Sequence, residues 1–207
     1  MTASLTSKGV ASRQRIIESA SAEIREFGVT VTLDDIRARA RVSKSQIFHY
    51  FPQGREQLLL AVARYEADLV LSDQQPQLAN LTSWSAWRAW RDTVVARYRE
   101  QGQQCPLSAL VTQLGRVTPG AQAVVAELMG RWQAQIAAGI THMQGAGEVS
   151  GDLDAARTAA GILAGIQGGV VMMLSTGSLI PLEAALDLGI EHLRCRPPVP
   201  DRRPATA

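Results

Sequence analysis

The sequence is poor in the side chains on which most enzymes and metal proteins depend. Its 207 residues include only two cysteines and three histidines. Cys105 and Cys195 lie far apart, and neither belongs to a C-x-x-C motif or a Cys/His spacing typical of zinc ligands. The sequence also lacks a Gly-rich phosphate loop, paired catalytic carboxylates and a Ser/His/Asp signature. We therefore predict that the protein is not an enzyme and has no catalytic residue, metal site or cofactor.

Long uninterrupted apolar runs are also scarce. The first twelve residues lack the apolar core of a signal peptide, so a cytoplasmic location is the expectation. The most apolar stretch, Ala155 to Leu174, contains Arg157 and repeats the G-x-x-x-G pattern at Gly161, Gly165 and Gly169. A membrane helix would use this pattern for close pairing, but the stretch is marginal in length. We expect a buried helix and no membrane partner.

Charge is nearly balanced, with a formal net charge of +2, but it is unevenly distributed. Residues 1–65 hold ten Lys and Arg against six Asp and Glu, a net of +4, and the remainder has a net of −2. A basic first third suits a domain that contacts DNA. Arg37, Arg39 and Arg41, taken alone, would equally suit the solvated face of an ordinary helix.

The stretch Thr32 to Phe51, TLDDIRARARVSKSQIFHYF, is typical of two short helices joined by a tight turn. Thr32 stands three positions before Asp35, and Ser43 stands three positions before Gln46, which is the capping-box spacing. The second helix therefore begins near Ser43, and Phe51 belongs to its apolar face. Such an arrangement predicts a helix-turn-helix whose second helix enters the DNA major groove.

The face opposite Ile47 and Phe51 carries Ser45 and His49, with Gln46 and Phe48 on its flanks. We expect base-edge contacts from Gln46 and His49, although Gln46 has a competing role as a capping residue. Phosphate contacts are expected from Thr32, Ser43, Lys44, Tyr50 and Arg55. The predicted DNA-binding set is Thr32, Ser43, Lys44, Ser45, Gln46, His49, Tyr50 and Arg55.

The segment VSKSQIFHYF resembles the recognition helix of TetR-type regulators, which usually runs V-S-x-G-x-L-Y-x-Y/H-F. The resemblance covers about the first sixty residues, with Ser45 in place of the usual Gly and Phe48 in place of the usual Tyr. FPQGREQL is similar to FPGGKEQL of the LmrA/YxaF-like subgroup, and Cys105-Pro106 fits the same subgroup. A redox role for the Cys105 thiol is not favoured, because no basic neighbour or second nearby cysteine is available to activate it.

An all-α fold is expected from the helical periodicity and from this resemblance. It comprises an N-terminal three-helix helix-turn-helix DNA-binding domain plus a C-terminal helical ligand-binding and dimerisation domain. The expected bounds are 10–70 for the first, with the recognition motif at 32–51, and 71–194 for the second. Residues 1–12 are expected to form a flexible arm and 195–207 a disordered tail. Other helices are predicted at 13–27, 55–71, 84–101, 106–114, 118–142, 152–176 and 181–193.

Three of the four tryptophans fall on one side of the helix predicted at 84–101. Flat aromatic rings can line a cavity for an aromatic or apolar ligand, and they can equally fill an ordinary core. Both alternatives stay open at this point. The predicted ligand-binding set is Trp84, Trp87, Trp90, Met129, Trp132 and Met172.

Glycines inside the helix predicted at 152–176 weaken it by about 1 kcal/mol each relative to Ala, so another helix is expected to approach closely. The resemblance implies that the last two helices pair with their two-fold mates in a homodimer. The predicted dimer residues are Gly161, Gly165, Gly168, Gly169, Leu186 and Leu193.

The resulting hypothesis is a homodimeric repressor, released from a palindromic double-stranded DNA operator by a small apolar or aromatic ligand. Repression rather than activation is implied by the resemblance only. The alternative is a helical dimer that binds or processes a small molecule and whose N-terminal helices only pack. A third hypothesis is an interaction module that uses the same N-terminal helices to bind another protein.

Overall fold

The computed structural model describes residues 6–102, 114 and 119–194, and their regular structure is entirely helical. Of the short helix predicted at 106–114, only Leu114 is among the described residues. Cys105, Cys195 and the predicted tail lie outside them. A 3-10 turn at Leu78–Asn80 follows the fourth helix. The helices are α1 (Ser7–Phe27), α2 (Leu33–Ala40), α3 (Lys44–Tyr50), α4 (Arg55–Ser72), α5 (Trp84–Gln101), α6 (Pro119–Gly145), α7 (Ala155–Thr176) and α8 (Ile180–Arg194).

Helix α1 begins six residues earlier than the sequence pattern predicted. The Thr6 hydroxyl accepts a hydrogen bond from the Gly9 backbone N–H at 3.2 Å, which satisfies one of the free donors of the first turn. Residues 7–12 are therefore helical, and the expectation of a flexible arm over them was wrong. The helix ends as predicted at Gly28, whose φ of 85° suits a residue without a side chain.

A buried carboxylate joins α1 to α4. Glu66 is completely buried, and Arg25 donates to its two oxygens from Nε at 3.0 Å and from Nη2 at 2.7 Å. The Ser21 hydroxyl donates a further, short hydrogen bond to the same carboxylate. These bonds replace the water that the charge gives up, so they fix how α1 and α4 pack.

The buried side of α4 is rotated relative to the apolar stripe that helical spacing predicts from Leu58, Val62, Tyr65 and Leu69. Leu58 and Val62 are buried, but Tyr65 and Leu69 are only partly buried, and Glu66 and Val70 are buried instead. The apolar pattern of α4 is broad enough to allow either stripe. The ion pair with Arg25 decides between them, because Glu66 must face α1.

Helices α7 and α8 pack closely against each other through glycine. A Cβ atom placed on Gly169 would lie 2.6 Å from Cα of Leu182, and one placed on Gly165 would lie 3.4 Å from Cβ of Ala185. Gly169 therefore permits a helix approach that any side chain would prevent. This confirms that another helix approaches the glycines closely, and the approaching helix at Gly169 belongs to the same chain.

Among the described helices, α7 is the one whose length and composition would allow it to cross a membrane. The core helix of a soluble protein satisfies the same criterion, and the α7 residues Ile162, Ile166 and Val170 are buried inside the protein. One such helix does not indicate a membrane protein.

The chain forms two compact units. The first comprises Met1–Asp73 with Glu100–Gly130, and the second comprises Gln74–Arg99 with Arg131–Ala207. The helix-turn-helix lies in the first unit. The tryptophans and the α7–α8 pair lie in the second.

We predict that Arg25→Ala lowers the free energy of unfolding by about 3 kcal/mol, because it leaves the buried Glu66 carboxylate without its cation. Arg37→Ala is the matched control. Its ion pair with Asp34 is exposed, so the expected loss stays below about 1 kcal/mol. Urea denaturation followed by circular dichroism measures both variants. Equal unfolding midpoints for the two would contradict the role of the buried pair.

Candidate nucleic-acid interface

The two short helices of the motif are each fixed at their start by a capping box. In α2, the Asp35 N–H donates to the Thr32 hydroxyl at 3.2 Å, and the Thr32 N–H donates to the Asp35 carboxylate at 2.8 Å. In α3, the Gln46 N–H donates to the Ser43 hydroxyl at 3.2 Å, and the Ser43 N–H donates to Oε1 of Gln46 at 2.8 Å. Both predicted capping boxes are confirmed. They stabilise helices too short to persist alone.

The Asp35 carboxylate also accepts a hydrogen bond from the Thr32 hydroxyl at 2.6 Å. This bond, together with the backbone N–H of Thr32, lowers the pKa of Asp35 below its ordinary value of 3.8. A carboxylate whose pKa is lowered by folding contributes stability above its unfolded pKa and loses it as the pH falls through the folded value. The capping box of α2 is therefore intact at neutral pH.

The turn between α2 and α3 holds Arg41 in a left-handed conformation, with φ 52° and ψ 49°. A side chain in this region costs about 1 kcal/mol, and glycine is the usual occupant. The Arg41 N–H donates to the carbonyl of Ala38, which satisfies the end of α2. Sequence spacing predicted the position of the turn but not the left-handed conformation of Arg41, because arginine, unlike glycine, does not indicate a positive φ.

The outward face of α3 combines hydroxyl, imidazole and ammonium groups. Lys44, Ser45 and His49 are exposed, while Ile47 is 1% exposed and turns toward the core. The Ser45 and Ser43 hydroxyls lie 2.9 Å apart and share a hydrogen bond. A short helix with such a face carries the donors and acceptors that can meet base edges in a major groove.

Besides Ser43 and Ser45, which bond to each other, three more of the predicted contact residues have hydrogen-bond partners within the protein. The Thr32 hydroxyl is bonded to Asp35, Oε1 of Gln46 accepts from Ser43, and the Arg55 guanidinium donates to the Val29 carbonyl. Tyr50 is half-buried, and its ring meets His49 edge-on with centroids 4.8 Å apart. The structure thus brings Lys44, Ser45 and His49 together on the open face, although the Ser45 hydroxyl is shared with Ser43. Their contacts with DNA stay a prediction.

The positive charge available near α3 is smaller than the residue count suggests. Arg25 is paired with Glu66, Arg37 with Asp34, and Arg39 with both Glu23 and Glu26. Arg13 stacks over the Phe51 ring at 5.1 Å. Exposed Lys44 and Arg41, on either side of the α3 cap, make no ion pair with any described residue.

Comparison with known proteins agrees with this arrangement. Residues 16–62 match the family model described as bacterial regulatory proteins, tetR family, and residues 80–188 match the model described as tetracyclin repressor-like, C-terminal domain. The second match alone covers more than half of the chain. The chain belongs to the TetR family.

Two uncharacterized HTH-type transcriptional regulators from strains of Mycobacterium tuberculosis are 28% identical over 110 residues. The match covers 50% of this chain and 53% of each relative, so the TetR-family chain spans about half the length of these curated relatives. The family assignment and the helix-turn-helix agree with the sequence prediction. The LmrA/YxaF-like subgroup stays a prediction.

Solved structures of TetR regulators share the fold. A regulator from Chloroflexus aurantiacus superposes with a TM-score of 0.76 at 23% identity, over 92% of this chain and 98% of that one. A regulator from Cytophaga hutchinsonii gives a TM-score of 0.76 at 18% identity, over 94% of this chain and 100% of that one. At these identities the likeness shows the fold, and it confirms the predicted all-α class.

Three of the four tryptophans of this TetR-family chain are fully buried, and two of them are in contact. Trp87 and Trp90 are fully buried and meet edge-on, with ring centroids 5.7 Å apart. Nε1 of Trp90 donates to Oε1 of Gln74 at 2.9 Å, whereas Nε1 of Trp87 and of Trp132 has no hydrogen-bond partner among the described residues. A Cβ on Gly139 would lie 3.2 Å from the Trp87 ring, so α6 packs tightly there.

The remaining predicted ligand-binding residues are less enclosed. Trp84 is partly exposed, donates to Oε2 of Glu148 at 2.9 Å and lies under the Arg194 guanidinium at 4.8 Å. Met129 is half-buried, and Met172 is 53% exposed. The structure therefore does not bring Met172 to the buried side of α7.

The predicted dimer residues divide into two groups. Leu186 and Leu193 are buried within the protein's own core, and Gly165 and Gly169 pack against α8 as described above. Gly161 and Gly168 face open space, with no atom within 4 Å of a Cβ placed on either. They lie on an exposed face, where Leu188 is 71% exposed beside a groove of about 660 Å³ between α7 and α8.

Proposed function

We propose that this protein is a homodimeric transcriptional repressor that binds a palindromic operator through α3 and leaves it when a small ligand binds. Residues 10–70 form the DNA-binding domain and residues 71–194 the ligand-binding and dimerisation domain. The protein acts in the cytoplasm, on double-stranded DNA. The single observation that carries DNA binding is the exposed polar face of α3, held in place by the two capping boxes.

The chemistry of that face supports sequence-specific binding. The His49 imidazole and the Ser45 hydroxyl are exposed and project from the side of α3 opposite the buried Ile47. They supply hydrogen bonds to base edges, while the Lys44 ammonium and the Arg41 guanidinium supply charge for phosphates. Within the described residues, no other element packs against this polar face. The rival proposal, in which these helices only pack, gives the face no role.

We predict that Lys44→Ala weakens binding to every duplex and lowers the salt slope of the binding constant by about one. His49→Ala instead relaxes discrimination at one base pair by about tenfold. Fluorescence anisotropy with the DNA upstream of the protein's own gene, across a salt series, measures both effects.

Arg88→Ala and His142→Ala are the matched controls, because they remove the same kinds of side chain from exposed positions outside the helix-turn-helix. Both should bind like the parent protein. If the parent protein bound DNA with an affinity that depends on neither sequence nor salt concentration, the proposal would be contradicted. The alternative in which the N-terminal helices only pack would then be favoured.

We further propose that the exposed face of α7 and α8 joins two copies of the chain. Support comes from its composition. Gly161 and Gly168 allow a second helix to approach closely, and Leu188 offers apolar surface beside them. One short α3 makes few contacts, so two copies related by a two-fold axis would gain the affinity that one lacks.

We predict that Gly168→Glu produces a monomer with weakened operator binding. A Cβ placed on Gly168 meets no atom within 4 Å, and the position is exposed, so the folded chain should accommodate the new side chain, whereas a partner helix would be displaced. Gly130→Glu is the matched control, because Gly130 is also an exposed helical glycine with open space around it. Light scattering after size exclusion measures the mass. A Gly168→Glu dimer with parental operator affinity would refute this interface.

The proposed ligand is small and aromatic or apolar, with a hydrogen-bond acceptor. A buried donor without a partner costs about 1–3 kcal/mol. The described residues of the second unit contain three such donors, and two of them are the indole N–H groups of Trp87 and Trp132. A ligand that accepts these hydrogen bonds would recover that energy. It would release DNA if it favours a dimer arrangement in which the two α3 helices no longer match successive major grooves.

We predict that phenols or aromatic carboxylates that quench the tryptophan fluorescence also lower operator affinity. Trp132→Phe keeps an aromatic ring but removes the unpaired N–H, so it should weaken the binding of these compounds; because the smaller ring leaves a cavity, its melting temperature should fall as well. Trp90→Phe is the control. It should lower the melting temperature further, because it also removes the hydrogen bond to Gln74, and it should bind these compounds like the parent, since the Trp90 N–H is already paired. Compounds that bind Trp132→Phe and parent equally, without affecting operator affinity, would contradict the ligand proposal.

A further inference from the structure

Phe48 is an exposed aromatic side chain on the recognition helix. It is 42% exposed, although its neighbours on the outward side of α3 are polar or charged. Its position, three residues after Ser45 and four after Lys44, places it on the flank of the same outward face. An isolated exposed apolar residue is ordinary on a protein surface, but a phenyl ring on a DNA-facing helix has specific chemical consequences.

The ring lies next to the backbone of Gly54. A Cβ placed on Gly54 would lie 3.4 Å from Cε1 of Phe48, so the ring edge rests directly against this glycine. Gly54 has φ 67°, a conformation that other residues rarely adopt, and it is the N-cap residue immediately before α4. Phe48 therefore lies at the junction of α3 and α4, and the part of its ring that does not contact Gly54 is exposed to solvent.

The hydrogen-bonding side chains of α3 are limited in what they can distinguish. A bidentate contact to adenine needs both the oxygen and the nitrogen of an amide. Oε1 of Gln46 already accepts the Ser43 N–H at 2.8 Å, which holds the amide at the start of the helix. Ser45 and His49 remain, and a hydroxyl or a single imidazole nitrogen pairs with more than one base edge.

The base edges in the major groove carry one apolar group, the 5-methyl of thymine. Phenyl carbon has no hydrogen bond to offer and no charge for phosphate, so among base-edge groups it matches this methyl alone. We propose that Phe48 is a specificity-determining residue that contacts a thymine methyl in each half of the operator. The inference rests on the proposed function, because it requires α3 to enter the major groove.

Deoxyuridine differs from thymidine only by the absence of this methyl, which allows a direct test. Operator duplexes selected with the parent protein are resynthesised with deoxyuridine in place of thymidine, one position per half-site at a time. At one position the parent should lose about fourfold in affinity per half-site, the equivalent of burying one methyl-sized group. Phe48→Ala should lose a similar factor on the thymidine operator and bind both duplexes equally.

Two further variants complete the design. Phe48→Leu keeps an apolar contact and should retain part of the preference for thymidine. Phe27→Ala removes another exposed phenylalanine, 61% exposed on α1, and should retain it in full. Melting temperatures establish that each variant is folded.

A Phe48→Ala protein that binds more weakly but keeps the parental thymidine preference would overturn the inference, since the ring would then only support α4. Indifference of the parent to every deoxyuridine substitution would overturn it as well, while leaving sequence-specific DNA binding intact. Failure of the parent to select any duplex would overturn the proposed function itself, and this inference with it.

Discussion

The buried carboxylate of Glu66 is the interaction on which the DNA-binding domain depends. A charge with no access to water is tolerated only when its partners are fixed, and here Arg25 and Ser21 of α1 supply them. This bonding sets the rotation of α4 about its own axis and leaves α2 and α3 to pack on a frame already defined. The short recognition helix owes its position to that frame and to its capping box, because seven residues form no stable helix alone.

Local signals in the sequence predicted the fold well. The caps at Thr32 and Ser43, the glycine that ends α1 and the apolar periodicity gave the helices of the described residues nearly as observed. Errors occurred where the deciding contact was distant in sequence. Glu66 pairs with Arg25 across 41 positions, and the pattern of α4 alone could not show that a charged residue faces the core. The position of Glu66 among the apolar residues of α4 was the signal that could have suggested a buried ion pair, but it did not identify Arg25 as the partner.

The candidate DNA interface was predicted less completely. Spacing identified the outward face of α3 and the cap formed by Gln46, but it could not show that Arg55 bonds to the Val29 carbonyl, since that partner depends on how the chain folds. It also could not separate the glycines of α7 by role. Gly169 contacts Leu182 of the same chain, whereas Gly161 and Gly168 face open space, and only coordinates distinguish these cases.

The central claim is that two α3 helices enter successive major grooves of one operator. Hydroxyl-radical footprinting of the parent protein on the DNA upstream of its gene tests this most directly. The account predicts two protected patches related by a two-fold axis, with centres about one helical turn or more apart and on one side of the duplex. A single patch without symmetry, or no protection at protein concentrations that saturate binding, would contradict it.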